Sequence, residues 1–429
     1  MRRSSLSGII VAAADGRTSM VPLLWLGLVS ASMGAGAALA LLLVVPRPRE
    51  GLVMLGGVVS MGGAVVAGSR LVTTYDTPTF TVIATLLAVA ALGGGFALVS
   101  ALLAYVQPPP TATMLPAAGS PPRTLVVLMV DTEAGTYRAG EVSREIADLV
   151  DAGLPEPTIG VTPFHYAAQK ARFRAIGGRS PEHAAAVLLA EGIEALLDRE
   201  VFAGPLLIRC SERGALATIL RTALEEGYRS AVVTGAYIAE SHRADEQRRD
   251  ADDIAAAITS LSVAYTPPLW ASDELAQLVA QGAVTITAHS ARTGVALLVH
   301  GQPGRQAEAN TAFDVQENAF ANRVRMHLSE TGIDEAYVRV CSAEWRDPGV
   351  TETVRHLAAL GSERILVVPA CYPFANMQTL LDIPAAARDA RVPENVHVVH
   401  VSPWGDGEVF ANVLAGAIRK TAKEAATRA

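Results

Sequence analysis

Charge is what the first quarter of this 429-residue chain lacks. No charged residue lies between Thr18 and Pro46, between Gly51 and Ser69, or between Thr77 and Pro122. Overall only 18% of residues are charged and 50% are hydrophobic, too apolar for an average soluble enzyme, and the excess is local. A bilayer core takes about 20 apolar residues per helix. The segments 21–45, 52–68 and 80–106 meet that length, so about three transmembrane helices are expected, a multi-pass anchor in the lipid bilayer of the cell membrane. The first is too long for the apolar core of a signal peptide, and more spans follow it. Basic residues are scarce too. Net charge is −7 with no basic block, which argues against nucleic acid as a partner. Cysteine is scarcer still. Cys210, Cys341 and Cys371 are an odd number without close spacing, so neither a disulfide framework nor a zinc or iron–sulfur ligand set is indicated.

Within the spans, Gly56, Gly57, Gly62, Gly63 and Gly93–Gly95 suit close helix packing. No polar pathway crosses them, so they read as an anchor. Orientation stays open, because Arg2, Arg3 and Arg17 precede the first span while Arg47 and Arg49 follow it.

Residues 107–122 (QPPPTATMLPAAGSPP) read as a semi-rigid linker. Deleting everything before it should leave a soluble, folded fragment. Beyond it, apolar runs at 123–131, 206–210, 229–235, 295–300, 336–341, 364–369 and 396–401 suit strands buried on both faces of a parallel sheet. Stretches with helical spacing lie between them, at 181–197, 215–225, 314–328 and 350–360. The alternation predicts a doubly wound α/β fold. A faint repeat relates 224–241 to 359–376: a helix end, Gly, Arg, an apolar strand, then Ala, Tyr and a polar loop. It predicts two similar lobes, 123–284 and 285–429, with a cleft between them. Ligands of such sheets bind at the carboxyl ends of the strands.

Four features there carry candidate chemistry. His300 ends a strand and opens His-Gly-Gln-Pro; its imidazole could accept a proton or bind a metal, or merely cap the turn. Ile176-Gly177-Gly178-Arg179-Ser180-Pro181 opens a helix with Ser180 as N-cap, either a place for a carboxylate on backbone N–H groups or a plain helix start. Trp345 follows a strand with acids on either side and could line a flat apolar ligand. If 375–383 is helical, Gln378 and Asp382 share a face, with Pro384 ending or kinking that helix. His242, His289, His397 and His400 are weaker candidates.

Taken in order, these motifs resemble the ferrochelatase family, which inserts ferrous iron into a porphyrin. The family's IGGxSP segment reads IGGRSP at 176–181, and its HGxP reads HGQP at 300–303. A strand, Ser342, Trp345 and Pro348 follow, then Leu357, Gly361 and the strand 365–369. The ETLxEI-like helix reads QTLLDI at 378–383. The resemblance covers 123 to the C-terminus, most clearly 300–383. It implies two Rossmann-like, chelatase-type lobes and a membrane-anchored enzyme of haem biosynthesis with the soluble part in the cytoplasm. Its partners would be a porphyrin and a divalent metal. Ferrous iron would be substrate, with no other cofactor and no iron–sulfur cluster. It implies His300 as proton acceptor or metal contact, with Gln378 and Asp382 as the catalytic helix positions and Asp382 also at the metal. Ile176, Gly177, Gly178, Ser180, Pro181, Tyr237, Trp345 and Tyr372 would line the substrate. The chain departs from the family in having an amide, Gln378, where that helix opens with an acid. A non-catalytic tetrapyrrole-binding protein on the same fold is the alternative.

Overall fold

In a computed structural model, residues 20–75, 77–103, 115–119, 122–151, 153–155, 161–257, 261–286, 292–405 and 407–428 are described. Arg2, Arg3, Arg17, His289 and most of the expected linker lie outside them. The described chain divides into two compact units. One comprises 1–109, 137–147 and 155–171, the other 110–136, 148–154 and 172–429.

The first unit contains three helices long and apolar enough to cross a membrane: α1 (Val21–Val44), α2 (Arg47–Tyr75) and α3 (Pro78–Leu103). Their outward faces carry large apolar side chains such as Leu52, Val58, Val65, Leu86 and Val89. Of the glycines, Gly36 and Gly95 set the packing. A Cβ on Gly36 would overlap the Leu92 carbonyl oxygen, and one on Gly95 would overlap that of Met33. Backbones of α1 and α3 therefore touch, as small residues permit in lipid. Gly56, Gly62, Gly93 and Gly94 have open space where a side chain would go.

This unit is more than the spans. The Tyr137 hydroxyl donates to the Val44 carbonyl, and Lys170 donates to the Leu42 carbonyl at 3.0 Å while pairing with Glu50 at 2.5 Å. Val142 and Tyr166 bury against Val44 and Leu103. Helix ends leave carbonyls without partners, and these side chains satisfy them. An independent fragment beginning after the spans, the expectation from a polar linker, would lose these partners.

The second unit holds two four-stranded parallel sheets. The first runs β2-β1-β3-β4, with β1 Thr124–Val130, β2 Phe202–Arg209, β3 Ser230–Gly235 and β4 Ser262–Tyr265. The second runs β6-β5-β7-β8, with β5 Thr293–Val299, β6 Val338–Ser342, β7 Arg364–Val368 and β8 His397–His400. The strand order is identical, so the faint repeat is structural: its copies are the units around β3 and β7. In both, a helix ends on a left-handed glycine, Gly227 (φ 93°) and Gly361 (φ 88°). The next amide closes the turn, Tyr228 N–H to Ala223 and Ser362 N–H to Leu357.

The continuous apolar runs have a plain cause. Along β1, Val126, Leu128 and Val130 pack into one core layer, while Leu125, Val127 and Met129 pack into another. β5 divides in the same way. Each inner strand is covered on both faces, so alternation with polar residues is not tolerated. Burying such residues is worth about 1.5–3 kcal/mol each. Helix α14 (Glu408–Arg428) ends the chain. Although it follows the second sheet, its Phe410, Leu414 and Ile418 share a core with β1 of the first. The short strand β4 (SVAY) has no apolar run and was not expected.

Candidate active site at the carboxyl ends of the two sheets

β1 and β5 occupy the same place in their sheets, and each ends in a residue with chemistry: Asp131 and His300. His300 is half-buried, and the Tyr372 ring lies against it, centroid to centroid 3.7 Å. Burial lowers the imidazole pKa to about 4, and the Asp131 carboxylate opposes that shift through space. His300 is therefore neutral at physiological pH, with a ring nitrogen able to accept a proton. The Tyr372 hydroxyl is fully buried beside it and makes no hydrogen bond among the described residues.

The His-Gly turn is held from three sides. Glu317, on α11 (Thr311–Glu330), accepts the His300 N–H and the Gly301 N–H, both at 2.9 Å. The Ser342 hydroxyl donates to the His300 carbonyl at 2.9 Å. Gly301 has φ 76°, and a Cβ there would stand 2.8 Å from the Ser342 oxygen and 3.5 Å from the Trp345 Cβ. Glycine is thus required by conformation and by space. Trp345 is 38% exposed on the following loop, whose Arg346 pairs with Asp314.

The IGGRSP segment makes a tight entry to α6 (Pro181–Leu196). Gly177 (φ 84°) and Gly178 (φ 87°) turn the chain, Ser180 accepts the Glu182 N–H at 3.2 Å, and Pro181 takes a first-turn position. The anion at this helix start is the protein's own. Ser180 donates to Glu133, three residues past β1, and the Glu133 N–H donates to Glu182 at 2.7 Å. From the second sheet, Asn376 reaches Glu182 at 3.2 Å and the Met377 N–H reaches Glu133 at 3.2 Å. Burial raises the Glu182 pKa well above the usual carboxylate range, and the Glu133 charge adds to the rise. Glu133 is raised as well, by burial, against the hydrogen bonds from Ser180 and Met377.

Met377 leads into the expected catalytic helix. Gln378–Asp382 is a π-helical turn, in which the Ile383 N–H reaches back to the Gln378 carbonyl. Pro384 does not end this helix: the π-helical turn runs without a break into α13 (Ile383–Asp389), which holds Pro384 near its start. Asp382 is ion-paired with Arg172. The turn forms one wall of a 390 Å³ apolar pocket with Leu298, Phe374, His400 and Pro181. Ile176 immediately precedes the glycine pair. Tyr237 lies after β3, and burial raises its phenol pKa far above normal.

The structure thus gathers His300, Tyr372 and Trp345 at one place, and Ser180, Pro181, Gln378 and Asp382 at another beside it. Asp131, Glu133, Glu182 and Glu317 were not anticipated. Glu317 had a signal: with Phe313, Phe320, Val324 and Leu328 it lies on the buried stripe of α11, where a carboxylate is out of place. Among the described residues, no three His, Cys, Asp or Glu side chains form a ready metal site.

Among solved structures, SirB from Bacillus subtilis with Fe3+ aligns over 71% of this chain and 98% of its own, at 14% identity and a TM-score of 0.44. The sirohydrochlorin chelatase SirB from Bacillus subtilis subspecies spizizenii, in complex with cobalt, aligns over 70% and 96% at 12% identity and a TM-score of 0.43. DR2241 from Deinococcus radiodurans, a multi-domain protein similar to chelatases, aligns over 69% and 54% at 14% identity and a TM-score of 0.36. Among curated proteins nothing matches. The family model described as Ferrochelatase matches residues 158–422, more than half of the sequence. The chain belongs to the ferrochelatase family.

Proposed function

We propose that this protein inserts a divalent metal, ferrous iron, into a porphyrin at the carboxyl ends of its two sheets, with His300 as the proton acceptor. The family carries the general chemistry, metal insertion into a tetrapyrrole. One observation supports the role of His300: its imidazole, whose pKa burial lowers, ends the inner strand of the second sheet in a turn clamped by Glu317 and Ser342. Insertion replaces two pyrrole protons by a dication. As each N–H bond breaks, its proton needs a base; the neutral imidazole takes one by forming an N–H bond of its own, and has to release it to water before it can take the second. Trp345 offers flat apolar surface to a macrocycle, while the buried Tyr372 ring backs the His300 imidazole. The three apolar helices would hold the site at a bilayer, on the cytoplasmic side.

A second reading, tetrapyrrole binding without insertion, has its own support. Gln378 cannot take up a proton, and Asp382 is engaged by Arg172. The deciding experiment uses the full chain in detergent. A porphyrin is titrated in, ferrous iron or cobalt(II) is added anaerobically, and absorbance follows the metalloporphyrin. Turnover supports insertion. Saturable binding without turnover supports the second reading, and no binding removes both.

A further inference from the structure

Glu317 is 2% exposed, so it cannot meet a substrate. Its two carboxylate oxygens are spent on consecutive backbone N–H groups, those of His300 and Gly301. Consecutive amides aimed at one carboxylate fix the peptide plane between them, and with it the Cα–Cβ direction of His300. From the other side the Ser342 hydroxyl fixes the carbonyl of the same residue. From that position the ring lies against Tyr372, centroid to centroid 3.7 Å.

The helix that bears Glu317 is also tied to the first sheet. Gln316, its neighbour, accepts the Glu240 N–H at 3.0 Å, and Asn310 donates to the Glu240 carbonyl at 2.7 Å. Gln302, in the His-Gly-Gln-Pro turn, donates to the Asn310 carbonyl at 3.1 Å. The start of α11 is thus fixed at both of its neighbours, and Glu317 inherits that fixity. We propose that Glu317 is a positioning residue, which sets the ring of His300 through the two amides of its turn. The claim rests on His300 as the base of the reaction proposed above. A base displaced by about 1 Å can lose about a hundredfold in rate.

Two substitutions test it in the full chain. Glu317→Gln keeps size but has one acceptor oxygen, and its NH2 meets an amide N–H donor to donor. Glu317→Asp keeps the charge but is too short to reach both amides. In both, kcat for metal insertion should fall at least about tenfold while the porphyrin Kd stays within about twofold. The second readout does not depend on activity. In histidine-labelled protein the His300 ring protons should lie upfield, shifted by the Tyr372 ring, and should move toward ordinary values in both variants; His300→Gln assigns the signals. Wild-type kcat in either variant, or unmoved ring signals, overturns the proposal. If the wild type inserts no metal, the reaction proposed above fails, and the ring signals alone decide the role of Glu317.

Discussion

Changing Glu317 to Gln should also flatten the dependence of stability on pH. Burial raises the Glu317 pKa from the ordinary 4.5 to about 7, against the two amides and the Cys371 thiol, which favour the charged form. The folded state therefore holds a proton that the unfolded state releases. The stabilisation is fully present below about pH 4.5 and is lost as pH rises through about 7. A shift from 4.5 to about 7, at about 1.4 kcal/mol per unit, corresponds to roughly 3 kcal/mol lost between pH 4.5 and 8. Glutamine is neutral throughout, so the variant should lack this loss. Glu182 is raised in the same direction and contributes in both proteins. The difference between the two slopes therefore isolates Glu317. Denaturant unfolding of detergent-solubilised protein, followed by tryptophan fluorescence at pH 5 and pH 8, measures it. Equal pH slopes in wild type and Glu317→Gln would refute the reasoning.

Other outcomes follow from the same geometry. Gly36→Val should force α1 and α3 apart and lower stability by about 1–3 kcal/mol, read as a lower thermal transition in detergent; an unchanged transition argues against the crossing at Gly95. A fragment beginning near residue 110 leaves Tyr137, Tyr166 and Lys170 without the carbonyls of α1 and α3, so hydrogen exchange around 137–171 should be fast there and slow in the full chain. Gln378→Glu should raise the insertion rate, by up to about a hundredfold, if a carboxylate there is what the site lacks. If it changes nothing, Asp382→Asn should be the damaging substitution.

Much of this was legible in the sequence for identifiable reasons. Charge-free stretches marked α1, α2 and α3 because lipid excludes charge. Strands β1 and β5 were legible because both of their faces are covered, leaving no polar position to blur the run. The repeat was legible through Gly227 and Gly361, whose backbone admits little else. His300 stood out by its place at the end of an apolar strand, before a glycine that Ser342 and Trp345 leave no room to replace.

What stayed hidden depends on contacts between distant segments. Glu133 and Glu182 lie 49 positions apart and meet only because a strand end and a helix start converge. Asn376 joins them from 194 positions beyond Glu182. Asp382 read as a free acid, because nothing local shows that Arg172 reaches it across 210 positions. The attachment of 137–147 and 155–171 to the spans rests on single side chains, Tyr137, Tyr166 and Lys170, which carry no periodic signal.

The most direct test of the central claim compares wild type with His300→Ala in one assay. Both full-length proteins, in detergent, are loaded with porphyrin and mixed anaerobically with ferrous iron, and the change in absorbance is timed. Loss of a positioned base costs about 10²–10⁴ in rate. His300→Ala should bind porphyrin much as wild type does, with an insertion rate lower by that factor. Insertion by His300→Ala at the wild-type rate would contradict that claim.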